Sequence, residues 1–225
     1  MDKNPQEVAA MFDGVARRYD IVNDLLSLGR TKAWRRVATK VIAPAPGMKI
    51  LDMAAGTGSS SAPLAAAGAD VIAADFSEGM IAAGKKARPD LTFIKADALN
   101  LPFDNNAFDL FTISFGLRNT QNTAKALAEA RRVVKPGGRL VVVEFSSPTF
   151  APFRAIYMNY LMRALPFIAR KTSSNPDAYI YLADSIRAWP DQKALASQIV
   201  DAGWTQVGWK NLTGGVVAIH MAVAP

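Results

Sequence analysis

Half of the 225 residues are hydrophobic and a fifth are charged, which excludes a disordered chain and leaves ample apolar surface for a core. There is no cysteine and one histidine, which excludes disulfide frameworks, thiolate nucleophiles and clustered-imidazole metal sites, and favours a cofactor with its own reactivity. The formal charge of +7 attracts polyanions or anionic membrane surfaces, and no apolar run reaches the roughly 18 residues that a membrane-spanning helix needs.

Met1 to Gly14 is polar and contains acids, unlike a signal peptide, so the expected location is the cytoplasm. Residues 5–18 read as a helix with Val8, Met11, Phe12 and Val15 on one face, and Lys32 to Ile42 as a second, ending before Pro44 and Pro46. The rhythm then changes. Met48 to Met53 reads as a strand, followed by a glycine loop from Ala54 to Gly58 and a helix from Ser59 to Ala67 stopped by Gly68. Asp70 to Ala74 is a second strand, Ser77 to Ala87 a helix N-capped by Ser77, and Leu91 to Lys95 a third strand. Phe108 to Ser114 is a fourth strand. A helix from Gln121 to Val134 is broken by Pro136-Gly137-Gly138 before a fifth strand, Arg139 to Phe145. Strands alternating with helices imply right-handed crossovers and a parallel sheet whose ligand lies at the carboxyl ends of the strands.

Beyond the fifth strand, Ser147 to Trp189 is helical, aromatic and basic, and Asp191 to Ala202 is a further helix. Trp204 to Asn211 and Val216 to Val223 are strands whose short link, Leu212 to Gly215, demands an antiparallel hairpin. One domain is expected: a helical cap over 1–46, a cofactor-binding core over 47–146, a helical insertion over 147–190 and a helix with hairpin over 191–225.

The loop Leu51-Asp52-Met53-Ala54-Ala55-Gly56-Thr57-Gly58 lets a ligand approach the backbone closely, although an ordinary tight strand–helix turn would read the same way. Gly56 and Gly58 fit a dinucleotide fingerprint, but Ser61 stands at its third position. Asp75, at the end of the second strand, is placed to accept ribose hydroxyls or to cap the next helix. Asp97-Ala98 offers a carboxylate and an amide after the third strand, and Ser114 ends the fourth at the same rim.

These runs, with Asp97-Ala98-Leu99-Asn100-Leu101-Pro102-Phe103 and Lys135-Pro136-Gly137-Gly138, resemble the class I S-adenosylmethionine-dependent methyltransferases. More specific stretches are Phe12-Asp13-Gly14-Val15-Ala16-Arg17-Arg18-Tyr19-Asp20, Ile113-Ser114-Phe115-Gly116-Leu117-Arg118-Asn119 and the segment from Asn211 to His220. Together they resemble the ubiquinone/menaquinone biosynthesis C-methyltransferase family over nearly the whole chain. The resemblance implies an α/β, Rossmann-like fold with a seven-stranded, mostly parallel sheet ending in an antiparallel hairpin, plus N-terminal helices and a helical insertion after strand five. It implies S-adenosylmethionine as cofactor, with Gly56, Thr57 and Gly58 at its methionine end, Asp75 at the ribose, Asp97 and Ala98 at the adenine edge, and Ser114 lining the site. Ser59 departs from the family pattern, in which an acid often follows the second glycine.

The implied acceptor is a ring carbon of a demethylated prenyl quinol, a naphthoquinol being favoured over a benzoquinol because the chain is short. Such a carbon becomes nucleophilic when a neighbouring hydroxyl loses its proton. Candidates for the catalytic roles are Tyr19, Arg118, Asn119 and His220. Arg118 is protonated at neutral pH, so charge stabilisation or water activation suits it better than direct base action, with a structural ion pair as the plainer reading. His220 titrates near neutrality, but a lone strand histidine is more often structural. The helix around Phe150 to Lys171 places Phe153, Ile156, Tyr157, Tyr160, Leu161 and Ala164 at helical spacing among Arg154, Arg163, Arg170 and Lys171, which fits either a membrane interface or a packed lid. The expected partners are thus a prenylated quinol and, transiently, a membrane surface, with a homodimer left open. Nucleic acid is not expected, because no recognition module accompanies the basic charge. A nicotinamide oxidoreductase and a catalytically silent binding domain are the remaining alternatives.

Overall fold

The computed structural model describes residues 29–164 and 176–225. The expected helix over 5–18, Tyr19, and Arg170 with Lys171 lie outside the described residues.

Helix α1 (Thr31–Ile42) leads into strand β1 (Lys49–Met53). Then come α2 (Ser61–Ala66), β2 (Asp70–Asp75), α3 (Glu78–Ala87), β3 (Thr92–Lys95) and β4 (Phe108–Ser114). A short 3₁₀ turn, Leu117–Asn119, precedes α4 (Thr123–Val133) and β5 (Val134–Phe145). Helix α5 (Ala151–Asn159) widens into a π turn, Tyr160–Ala164; α6 (Pro176–Ala188), α7 (Gln192–Asp201), β6 (Thr205–Leu212) and β7 (Val217–Val223) complete the chain.

The strands form one seven-stranded sheet in the order β3-β2-β1-β4-β5-β7-β6. The first five are mutually parallel, whereas β7 runs antiparallel to both β5 and β6. The chain reverses direction across the sheet between β1 and β4, which is where a crevice opens in such folds. The expected class I architecture and its C-terminal hairpin are both present.

Side-chain alternation sorts the strands into two cores. Leu140 and Val142 of β5 face α4 and α7, packing with Leu127, Ala130, Leu195, Ile199 and Trp204. Val141, Val143 and Phe145 face the other way, against Trp34, Ala38 and Ile42 of α1 and Leu161 and Ile186 of the insertion. The helix starts are set by side-chain caps: Ser77 accepts from Met80 N at 3.0 Å, Asn122 from Lys125 N at 2.9 Å and Asp191 from Ala194 N at 2.9 Å.

Two regions differ most from expectation. Strand β5 begins at Val134 rather than Arg139, running through Pro136-Gly137-Gly138 with a register shift between Phe108 and Leu110 of its partner. Gly137 N donates to Ala224 O at 2.9 Å, and a Cβ at Gly138 would lie 2.8 Å from Asp109 O, so the segment punctuating the sequence is stitched into the sheet as a bulge. The insertion is interrupted by the π turn at Tyr160–Ala164, and its faces separate: Leu161 is buried and Phe153 and Tyr157 half-buried, while Ile156 points outward.

Candidate active site

The carboxyl ends of β1, β2, β3 and β4 meet at one rim. There a solvent-open cleft of about 840 Å³ is lined by Gly56, Asp75, Asp97, Ala98, Ser114 and Asn119, with Phe76, Met80, Leu99 and Ile113 as apolar walls. Asp75 ends β2 and organises the loop after β1: its Oδ2 accepts from Gly56 N at 2.8 Å and its Oδ1 from Ser77 N at 2.9 Å. Asp75 thus orients the start of the next helix and lines the cleft. Asp97 Oδ1 accepts from Leu99 N at 2.8 Å, which fixes the turn holding Ala98 against the cleft.

Gly56 and Gly58 take left-handed backbone angles, φ +57° and +81°. A Cβ at Gly58 would lie 2.8 Å from the Phe93 ring and 2.9 Å from Leu91, so the loop fits only because nothing projects there.

Beneath this loop lies Asp52, fully buried in β1. Its Oδ2 accepts from Ser60 Oγ at 2.7 Å and Ser61 Oγ at 2.6 Å, while Oδ1 has no partner among the described residues. Burial pushes its carboxyl up to about 6, against the lowering effect of the two serine hydroxyls. A buried acid with a vacant oxygen suits a cationic ligand group. In the sequence Asp52 stands out only as an acid inside the otherwise apolar strand that leads into the glycine loop.

A second cleft, of about 870 Å³, shares Ala54, Gly56, Ser114 and Phe115 with the first and is lined by Thr57, Trp34, Arg35, Thr112, Val143 and Phe145. Its aromatic side is a cluster: Trp34 and Phe115 rings are 6.1 Å apart, Phe115 and Phe145 5.1 Å, and Trp34 and Phe145 6.4 Å in an edge-on arrangement. Trp34 Nε1 donates to Thr213 Oγ1 at 2.8 Å, tying α1 to the hairpin turn.

The expected catalytic residues part company. Asn119 lines the first cleft, and its Oδ1 accepts from Tyr181 Oη at 3.2 Å, leaving the amide N–H groups as donors. Arg118 lines neither cleft. Its Nη1 lies 2.8 Å from Glu144 Oε1, with side-chain exposures of 5% and 1%, and the guanidinium sits 5.2 Å above the Phe145 ring. The plainer reading, an ion pair, is what the structure places there. Tyr157 and Tyr181 come near the same guanidinium from the insertion, and burial raises both phenols above the ordinary range. His220 is not at the rim. Strand β7 buries both faces, and alternation turns His220 toward α7, where Nε2 meets Gln192 O at 2.8 Å and the ring lies 6.0 Å from that of Trp209. The imidazole is fully buried, and burial lowers its basicity. Glu144, Trp34 and Tyr181 went unread in the sequence, because nothing local distinguishes them from ordinary strand and helix residues.

The sheet order, the glycine loop and the acids at three successive strand ends define a class I S-adenosylmethionine-dependent methyltransferase. The chain belongs to the ubiE/COQ5 methyltransferase family, which it matches over residues 1–224. It is 60% identical to the demethylmenaquinone methyltransferase of Renibacterium salmoninarum over 222 residues, covering 99% of this chain and 94% of that one. To the protein of the same name in Streptomyces avermitilis it is 60% identical over 220 residues, covering 98% and 95%. Among solved structures it superposes on the cyclase SpnF with TM-score 0.71 at 17% identity, covering 98% of this chain and 96% of that one. It also superposes on phosphoethanolamine N-methyltransferase 2 of Haemonchus contortus in complex with S-adenosylmethionine, with TM-score 0.65 at 14% identity, covering 88% and 53%. These two likenesses concern the fold.

Proposed function

We propose that the chain transfers a methyl group from S-adenosylmethionine to a ring carbon of a demethylated prenyl naphthoquinol, the closing step in making a menaquinone. The observation that carries this reading is the pair of clefts joined at Ala54, Gly56, Ser114 and Phe115: one rimmed by carboxylates, the other walled by aromatic rings. The name shared by the near-full-length relatives supports it.

The residues present fit the cofactor. Asp75 would take the ribose hydroxyls, Asp97 and Ala98 the adenine edge, Gly56, Thr57 and Gly58 the methionine end, with Asp52 supplying the negative charge below an ammonium and Ser114 facing the junction. When bound, S-adenosylmethionine supplies a methyl group already activated on a sulfonium. The chain's own part is to orient, stabilise and exclude water. Asn119, its amide held in one orientation by Tyr181, donates to the ring oxygen on which negative charge develops. Arg118, ion-paired with Glu144 and lining neither cleft, is not the base. Tyr19 stays in the proposal on the family motif alone, and His220 leaves it.

The prenyl tail requires a lipid source, and the outer face of α5 suits a transient membrane contact. Phe150 is 66% and Ile156 69% exposed beside exposed Arg154 and Arg163, with no acid from Ala151 to Ala164. No helix among the described residues is long and apolar enough to cross a membrane. The test of the function is methyl transfer from labelled S-adenosylmethionine to chemically reduced demethylmenaquinone in detergent micelles. Label in the quinone fraction is expected. S-adenosylhomocysteine binding without any labelled quinone would leave the cofactor assignment standing and refute the acceptor.

A further inference from the structure

Phe115 has φ +58°, a left-handed conformation that a bulky side chain adopts only when its surroundings impose it. The imposing groups are identifiable. Its N–H donates to Val143 O at 2.8 Å, and its carbonyl accepts from Arg118 Nη1 at 2.6 Å. That same Nη1 donates to Glu144 Oε1 at 2.8 Å. Glu144 also accepts from Phe145 N at 2.8 Å and from Arg118 N at 3.3 Å, so its carboxylate fixes both the guanidinium and the strand end beside it. The ring of Phe145, under the guanidinium, is in turn 5.1 Å from that of Phe115. The next residue must be glycine: a Cβ at Gly116 would collide with that of Ala54, itself at φ +55°. The chain end of β4 is thus locked against that of β1, with the Phe115 side chain between the two clefts.

We propose that Phe115 is the wall that sets the acceptor ring against the cofactor cleft, and that Glu144, acting through Arg118, is a positioning residue that holds this wall in its left-handed conformation. The proposal rests on the methyl-transfer reading above. A strained residue at a shared boundary, pinned by a buried ion pair that lines neither cleft, has this geometry as its consequence; an ion pair serving stability alone needs no hydrogen bond to the carbonyl of that residue.

The test combines binding and kinetics on the full chain. With S-adenosylhomocysteine present, a short-tailed demethylated naphthoquinol is titrated against wild type, Phe115→Leu, Glu144→Gln and the double variant, and kcat/KM for the acceptor is measured with S-adenosylmethionine saturating. Phe115→Leu is expected to weaken acceptor binding and lower its kcat/KM about tenfold, while the Kd for S-adenosylhomocysteine moves less than about twofold. Glu144→Gln is expected to do the same, and the double variant to be no worse than Phe115→Leu alone, since both remove one function. Losses that multiply in the double variant, or acceptor parameters unchanged in Phe115→Leu, overturn the proposal. Should Glu144→Gln not fold, Glu144→Asp replaces it, with the same non-additivity required. Wild type that neither binds the naphthoquinol nor methylates it refutes the reading on which the proposal rests, a result distinct from wild type that does both beside unaffected variants.

Discussion

Asp52 and His220 are buried titratable groups with opposite consequences. Folding raises the Asp52 carboxyl to about 6 from 3.8, so the folded state holds a proton that the unfolded chain has released, and stability falls as pH rises between these values. In the proposed site that charge would lie below the ammonium of the ligand. Affinity for S-adenosylhomocysteine is therefore expected to drop about tenfold between pH 7.5 and pH 5 as Asp52 protonates. Asp52→Asn should raise the Tm of the free protein, weaken binding at pH 7.5 and flatten the pH dependence; a variant that binds with the wild-type pH profile would remove Asp52 from the site. His220 is depressed by burial, so it contributes stability above the unfolded value near 6.5 that is lost as pH falls through its lower folded value. His220→Gln should lower Tm and leave kcat within about twofold, and a kcat loss beyond about a hundredfold would restore His220 to the chemistry. Asn119→Ala, which deletes the proposed oxyanion donor, should lower kcat about a hundredfold with cofactor affinity kept. At this scale the sequence exposed residues whose type and strand-end position announce them, Asp75 and Asn119 among them. It concealed Glu144 and Tyr181, whose importance arises from partners far along the chain.

Elements were legible where local chemistry decides them. Ser77 caps α3 where its side chain can reach Met80 N, and β4 spans the residues that its apolar run delimits. They were illegible where a tertiary partner decides, as in β5, where pairing with Phe108 recruits Val134 into the sheet ahead of a Pro-Gly-Gly that reads as a stop. The same distinction separates two substitutions. Trp204, 2% exposed after α7, donates from Nε1 to Leu127 O in α4 at 3.0 Å. Trp204→Ala removes that link and leaves a cavity, at an expected cost of about 3–5 kcal/mol and a Tm lower by about 10 °C, with cofactor binding intact in the folded protein. Gly58→Ala instead drives a methyl group into Phe93 and Leu91 at φ +81°, and should reduce S-adenosylhomocysteine affinity more than tenfold. Equal losses of stability and unchanged binding in both variants would show that the loop is no more than a connection.

Across the whole molecule, the alternation of strands and helices predicted the parallel sheet, and the short C-terminal link predicted the hairpin. What alternation could not fix was that β7 enters between β5 and β6, since strand order follows from packing rather than from local pattern. Part of the basic excess gains a direction only in the folded chain: Arg154 and Arg163 stand exposed, as do Phe150 and Ile156, while Leu161 is buried. Phe150→Ser with Ile156→Ser should weaken sedimentation with anionic vesicles several-fold while turnover of a short-tailed acceptor in detergent persists; undiminished vesicle binding would refute a membrane contact through this face. These elements are proposed to assemble a methyl-transfer site for a naphthoquinol. The most direct test is a competition in which reduced demethylmenaquinone and a reduced demethylated ubiquinone precursor share one pool of labelled S-adenosylmethionine. Label is predicted in the naphthoquinol; label confined to the benzoquinol would contradict the account.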